Sequence, residues 1–183
     1  MGGSLSQTDV VAALYFKYLN VDPANPDKPD RDRFILSKGH AGLGWASALG
    51  EAGYFDVALL DDFNKTGSAF GMHLDSLKVP GVDASTGSLG HGLALGVGMA
   101  KAAKLKGESW NTYVMLGDGE LCEGTNWEAM MLATFHQLDN LIGFVDRNRL
   151  MIDGPTEEIT SLDPLREKFT AFGWECIEID GHD

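Results

Sequence analysis

The chain is poor in cysteine: Cys122 and Cys176 are the only two in 183 residues. They stand far apart with no metal-type pairing, which excludes a disulfide framework and points to reduced thiols in a cytoplasmic protein. Basic residues are scarce as well, 14 Lys plus Arg against 27 Asp plus Glu, for a formal net charge of −13. That balance excludes nucleic acid and anionic membrane surfaces as partners of a broad basic face. No apolar run reaches the roughly 18 residues of a membrane span. The first 20 residues carry acids and a short amphipathic pattern instead of a basic stretch followed by an apolar one, so no secretory leader is expected. At this length the chain has room for one α/β domain and not for a large multidomain enzyme.

What is abundant is glycine, 23 residues, against a usual share of about 7%. The excess is clustered, as it is where backbone approaches something closely. Ser6 followed by Asp9 reads as a capping box opening a helix over 8–19. Three prolines among aspartates then mark an exposed connection, and Phe34-Ile35-Leu36 reads as a short strand. Helical patterns cover 41–52 and 57–63, and a loop covers 66–87. The helix over 90–105 carries Gly92, Gly96 and Ala100 at four-residue spacing, a flat stripe expected to pack against another helix or another subunit. From 112 onward the alternation is regular: strand 112–116, helix 124–138, strand 141–145, helix 165–172, strand 174–179. This order predicts an α/β fold, a parallel β-sheet flanked by helices with right-handed crossovers. Ligands of such sheets bind at the carboxyl ends of the strands.

At two of those ends stand Gly117-Asp118-Gly119 and Asp146-Arg147-Asn148. A single βαβ crossover brings Asp118 and Asn148 together on adjacent strands. A carboxylate, an amide oxygen and a nearby carbonyl such as that of Leu150 are hard donors, suited to Mg²⁺ or Ca²⁺ and unsuited to Zn²⁺. Mg²⁺ usually completes its octahedron with water and phosphate oxygens, so the set predicts a metal-bridged diphosphate. Gly117 and Gly119 let the backbone approach a phosphate. The strongly acidic composition fits a diphosphate held through a cation rather than through basic side chains.

The run from Gly117 through Glu123-Gly124-Thr125-Asn126-Trp127-Glu128-Ala129 to Asp146-Arg147-Asn148 resembles the thiamine diphosphate motif of transketolases. Ser37-Lys38-Gly39-His40-Ala41, Pro80-Gly81-Val82-Asp83, Ser85-Thr86-Gly87-Ser88-Leu89-Gly90 and Ile152-Asp153-Gly154-Pro155 fit the same family, in particular the N-terminal subunits of split transketolases. The resemblance implies a thiamine diphosphate-binding fold over 1–183, with Asp118, Asn148 and the Leu150 carbonyl on Mg²⁺ or Ca²⁺. It implies that Gly119 and Asn148 contact the diphosphate, that Gly87 and Leu89 lie on the thiazole side, and that Ile152 packs beside the thiamine. His40 matches a histidine at the diphosphate and channel. His73 matches one lining the channel, although Leu74 replaces the usual proline. Glu123 and Glu128 match carboxylates that couple paired active sites near the subunit interface.

Residues 1–6 resemble the middle of the family's first helical segment, past a Gly-His pair, and the chain ends before another histidine-bearing region. It is therefore expected to be incomplete at both ends and to need a C-terminal subunit carrying the pyrimidine domain. The implied function is transfer of a two-carbon ketol unit between sugar phosphates, in a homo-oligomer or heterotetramer. A deoxyxylulose phosphate synthase, the α chain of a 2-oxo acid dehydrogenase and a truncated, non-catalytic α/β dimerisation module are the alternatives. Trp127 reads as core, and His91 as facing cofactor or interface. His136 reads as a surface or partly buried side chain, and His182 as tail or site edge. Glu157 and Glu158 read as a solvated acidic face, with which Arg147 and Arg149 pair in preference to contacting phosphate.

Overall fold

The structure, a computed structural model, describes residues 2–183; Met1 of the opening segment lies outside them. Three runs form one parallel sheet in the order β1-β2-β3: Arg33–Leu36 (β1), Thr112–Gly117 (β2) and Leu141–Asp146 (β3). Leu36 pairs with Met115, and Gly117 with Asp146, so the carboxyl ends share one edge. Alternation along the strands splits the core in two. Phe34, Leu36 and Met115 pack with Val11, Leu14, Tyr15, Trp45 and Leu49. Ile35, Val114 and Leu116 pack on the opposite face with Leu93, Val97, Ala100 and Met130.

A short helix, α1 (Gly2–Leu5), opens the described chain. The first face of the sheet is covered by α2 (Thr8–Ala13, continued by a wider turn Leu14–Tyr18) and α3 (Gly42–Glu51). The second is covered by α4 (His91–Lys106) and α5 (Gly124–Phe135). Burial of both faces is why β1 and β2 are continuously apolar instead of alternating with polar residues, whereas β3, at the edge of the sheet, is mostly half-buried with Gly143 exposed. On the first face Phe34 meets Tyr15 and Trp45 edge-on, at centroid distances of 5.6 and 5.3 Å, and the Trp45 indole N–H donates to the Tyr15 hydroxyl at 2.6 Å.

Two local expectations are corrected. There is no capping box at Ser6, since α2 starts after Gln7 with no side-chain cap. The Ser6 hydroxyl instead donates to Asp146, at 2.5 Å, because an anionic carboxylate is a stronger acceptor than the neutral groups nearby. Segment 174–179 forms no strand: Trp174 and Cys176 face the core, but Ile177 and Ile179 are exposed and nothing pairs with them among the described residues. The sheet gains β1 on its other side instead.

The small-residue stripe of α4 packs closely, but on the sheet and not on a helix or subunit. A Cβ on Gly92 would collide with the Ser37 side chain and stand 2.7 Å from its Cα, and one on Gly96 would meet Val114 Cγ2 at 2.5 Å. Gly92→Ala is therefore expected to destabilise the chain by about 1–3 kcal/mol through overpacking. Gly98 has nothing within 4 Å, so Gly98→Ala should stabilise by roughly 0.4–1 kcal/mol through the unfolded chain. Urea denaturation midpoints moving in opposite directions check both.

Past β3 the chain makes a small antiparallel hairpin, β4 (Leu150–Met151) and β5 (Gly154–Pro155). Two further helices follow, α6 (Thr156–Ile159) and α7 (Leu165–Ala171). Trp127 donates its indole N–H to the Leu121 carbonyl at 2.9 Å and lies against Phe169 and Phe172 of the α7 region, a packing role as read from the sequence.

Candidate active site

Because Gly117 pairs with Asp146, Asp118 and Arg147 are the first residues past the sheet on neighbouring strands. The Asp118 side chain is buried. Its Oδ1 accepts from the Gly119 amide at 2.8 Å, and its Oδ2 from the Arg149 amide at 2.7 Å and from Arg147 Nη1 at 3.0 Å. Segment 147–149 thus clasps Asp118, with Asn148 between its two donors. Asn148 turns its own Oδ1 onto the Leu150 amide at 3.0 Å. Arg149 sits at φ +63° to make this turn.

Leu150 lies opposite Pro155, which has no N–H, while the adjacent ladder bond runs from the Thr156 amide to the Arg149 carbonyl at 3.0 Å. The hairpin therefore leaves the Leu150 carbonyl out of its ladder. No group of three His, Cys, Asp or Glu able to hold a metal occurs among the described residues. The donor chemistry of Asp118, Asn148 and a backbone carbonyl is all oxygen, which fits Mg²⁺ or Ca²⁺ completed by phosphate oxygens.

Arg147 pairs with acids as expected, and Asp118 itself is one of them. Its other partners are Thr156 Oγ1 at 2.7 Å, Glu157 Oε1 at 2.6 Å and Asp163 Oδ1 at 3.2 Å. The Ser161 hydroxyl, the Leu162 amide and Arg147 hold the Glu157 carboxyl down at about 2. Arg149 makes no ion pair among the described residues; it contributes its backbone amide instead.

A second cluster lies at the end of β1. Lys38 is buried, ion-pairs with Asp146 and donates to the Gly3 carbonyl at 2.9 Å. Burial pulls its pKa down and Asp146 opposes that shift. Gly39 lies against the Thr86 backbone, where a Cβ would come within 2.8 Å, and a Cβ on Gly87 would stand 2.9 Å from the His73 ring. These contacts gather His40, His73 and Gly87 at one place. Partial burial of the His40 ring, followed by the charges of Lys38 and His73, pulls its pKa below the ordinary histidine value.

The remaining candidates are spread around this edge. Leu89 is half-buried just before α4. Glu123 borders Gly90, whose φ of +86° starts that helix. Glu128 is exposed on α5, with no hydrogen bond or ion pair from its side chain among the described residues. Ile152 is fully exposed at the hairpin tip, an apolar side chain with nothing of this chain over it. His91 is exposed. His136 lies 2.9 Å from Lys101, and His182 lies against Asp9, whose carboxylate raises its pKa.

Glu120 is a site residue that the sequence did not reveal. It is buried, accepts from the Ser37 hydroxyl and the Gly90 amide on Oε1, and accepts from the Gly117 amide on Oε2. Its only trace in the sequence is a carboxylate three residues after Gly117, a spacing from which a side chain can return to a backbone amide.

Residues 1–183 match the family model described as the thiamine diphosphate binding domain of transketolase. The chain belongs to this transketolase family. It is 48% identical over 182 residues to the 6-deoxy-6-sulfo-D-fructose transketolase subunit SqwG of Clostridium sp., covering 100% of this chain and 66% of that relative. It is 44% identical over 181 residues to one of the apulose-4-phosphate transketolase subunits, from Phocaeicola vulgatus, covering 99% of this chain and 64% of that one. The transketolase of Pichia stipitis solved with sedoheptulose 7-phosphate superposes with a TM-score of 0.86 at 33% identity, over 97% of this chain and 30% of the other. The chain therefore spans roughly two thirds of the length of these subunit-type relatives, and its α/β thiamine diphosphate-binding fold is that of solved transketolases.

Proposed function

We propose that this chain is the cofactor-binding part of a two-subunit transketolase, holding thiamine diphosphate through Mg²⁺ or Ca²⁺. Joined to a C-terminal subunit with the pyrimidine domain, in a homo-oligomer or heterotetramer, it transfers a two-carbon ketol unit between sugar phosphates in the cytoplasm. The observation that carries the proposal is the buried Asp118 carboxylate at a strand end, clasped by the two residues that flank Asn148. Both subunit-type relatives are named as transketolase subunits, which supports a divided enzyme.

In this reading Asp118, Asn148 and the Leu150 carbonyl hold the metal. Gly119, where a Cβ would meet Met151 Cγ at 3.0 Å, and Asn148 contact the diphosphate. Gly87 and Leu89 take the thiazole side, and exposed Ile152 is covered by the thiamine. Bound thiamine diphosphate supplies the nucleophilic carbon and the electron sink. The chain's own groups position, exclude water and manage protons. His40, with its pKa lowered, is neutral near pH 7 and can take a proton from a sugar hydroxyl, or return one to it, beside His73. Glu123 and Glu128 serve the interface between paired sites.

A mixing assay tests the proposal. The purified chain with Mg²⁺ and thiamine diphosphate should show no ketol transfer until a pyrimidine-domain subunit is added. Robust turnover by the chain alone, or none with any such subunit, overturns it.

A further inference from the structure

The buried Glu120 carboxylate takes no part in the proposed cofactor contacts, yet it joins three elements of the site edge. One oxygen accepts from the Gly90 amide at 2.8 Å and from the Ser37 hydroxyl; the other accepts from the Gly117 amide at 3.1 Å. Three donors converge on two carboxylate oxygens, so each bond is charge-assisted and the buried charge is compensated by them. Neighbouring side chains repeat the tie. Asn126 donates to the Glu120 carbonyl at 2.8 Å, and the Thr125 hydroxyl donates to the Gly90 carbonyl at 3.0 Å. Gly90 ends the loop that carries Gly87 and Leu89, and Gly117 begins the turn that carries Asp118 and Gly119. The brace therefore fixes the distance between two loops that share no ladder hydrogen bond.

We infer that Glu120 is a positioning residue that sets the spacing between the Gly87 loop and the Gly117 turn, and thereby the fit of a ligand that spans both. This rests on the proposed cofactor site. A ligand that occupies only the Asp118 turn has little need of the brace, whereas one that also reaches the Gly87 loop loses affinity when the two drift apart. Glu120→Gln keeps the volume but turns an NH₂ group toward one of the donors, breaking the tie on one side.

The experiment is calorimetric titration of the full chain with Mg-thiamine diphosphate and, separately, with Mg-pyrophosphate. Glu120→Gln should weaken thiamine diphosphate at least about 10-fold, roughly the loss of one charge-assisted hydrogen bond, while pyrophosphate changes by less than about 3-fold. Ser37→Ala, which removes a single donor from Glu120, should show the same ranking with a smaller loss, and it serves where the Gln variant does not fold. Equal losses for both ligands, or none for either, overturn the positioning role. Wild-type chain that binds neither ligand overturns the cofactor site itself, a result independent of either variant.

Discussion

Asp118→Ala is expected to abolish the magnesium-dependent binding of thiamine diphosphate, with an affinity loss of at least about 100-fold. Residues that only hold a metal ligand in place typically account for about 10–100-fold, and Asp118 is proposed as a ligand itself. The variant also strips an acceptor from the Gly119 and Arg149 amides and from Arg147. A buried donor left unsatisfied costs about 1–3 kcal/mol, so the alanine variant should melt measurably lower as well. Asp118→Asn separates the two effects. It retains the volume and one acceptor oxygen but loses the charge and turns an NH₂ toward the donors on one side, so it should melt below the wild type but above the alanine variant and still fail to bind metal. Calorimetry with Mg²⁺ and then Ca²⁺, beside thermal melts, checks this. Wild-type affinity in the asparagine variant would remove Asp118 from the metal.

The largest stability effect is expected at the buried pair Lys38–Asp146. Both side chains are nearly inaccessible, at 2% and 6% exposure, and the Asp146 carboxylate also accepts from the Ser6 hydroxyl. Removing one partner of such a pair strands the other charge and typically costs about 3–5 kcal/mol, whereas replacing both with apolar residues of similar volume is often neutral. Lys38→Met should therefore lower stability by about that amount, and the double variant Lys38→Met with Asp146→Leu should recover most of it. Lys38 also donates to the Gly3 carbonyl, so in the single variant α1 should become the first site of limited proteolysis. Urea denaturation of the two variants, with proteolysis followed by mass spectrometry, decides the matter. A loss under about 1 kcal/mol would mean that the pair is solvated in the folded chain.

Much of the architecture was legible because it rests on local rules. The apolar runs at 34–36 and 112–116 are strands buried on both faces of a parallel sheet, and the run at 141–145 pairs beside them as a partly exposed edge strand. The periodic stretches between them are helices for the reason that one face must reach that sheet. The placement of Asp118 and Asn148 was equally legible, since a single βαβ crossover sets the ends of adjacent parallel strands side by side. Segment 174–179 misled because alternation identifies a strand-like surface but supplies no partner, and hydrogen bonds to a partner are what make a strand. The capping box at Ser6 failed for a similar reason: a hydroxyl bonds the best acceptor in space, and Asp146 lies 140 residues away in sequence.

By itself the sequence determined the class of fold, the family and the residues that stand at the strand ends. These follow from composition, period and short motifs, in which every partner is near in the chain. Only the tertiary structure decided that the glycine stripe of α4 meets the sheet, that Arg147 rests on Asp118, and that Lys38 and Glu120 are the buried charges joining the strand ends. Each of these is a contact between distant segments inside a low-dielectric interior. There a charge persists only with a partner, and the identity of that partner is fixed by packing rather than by its place in the sequence.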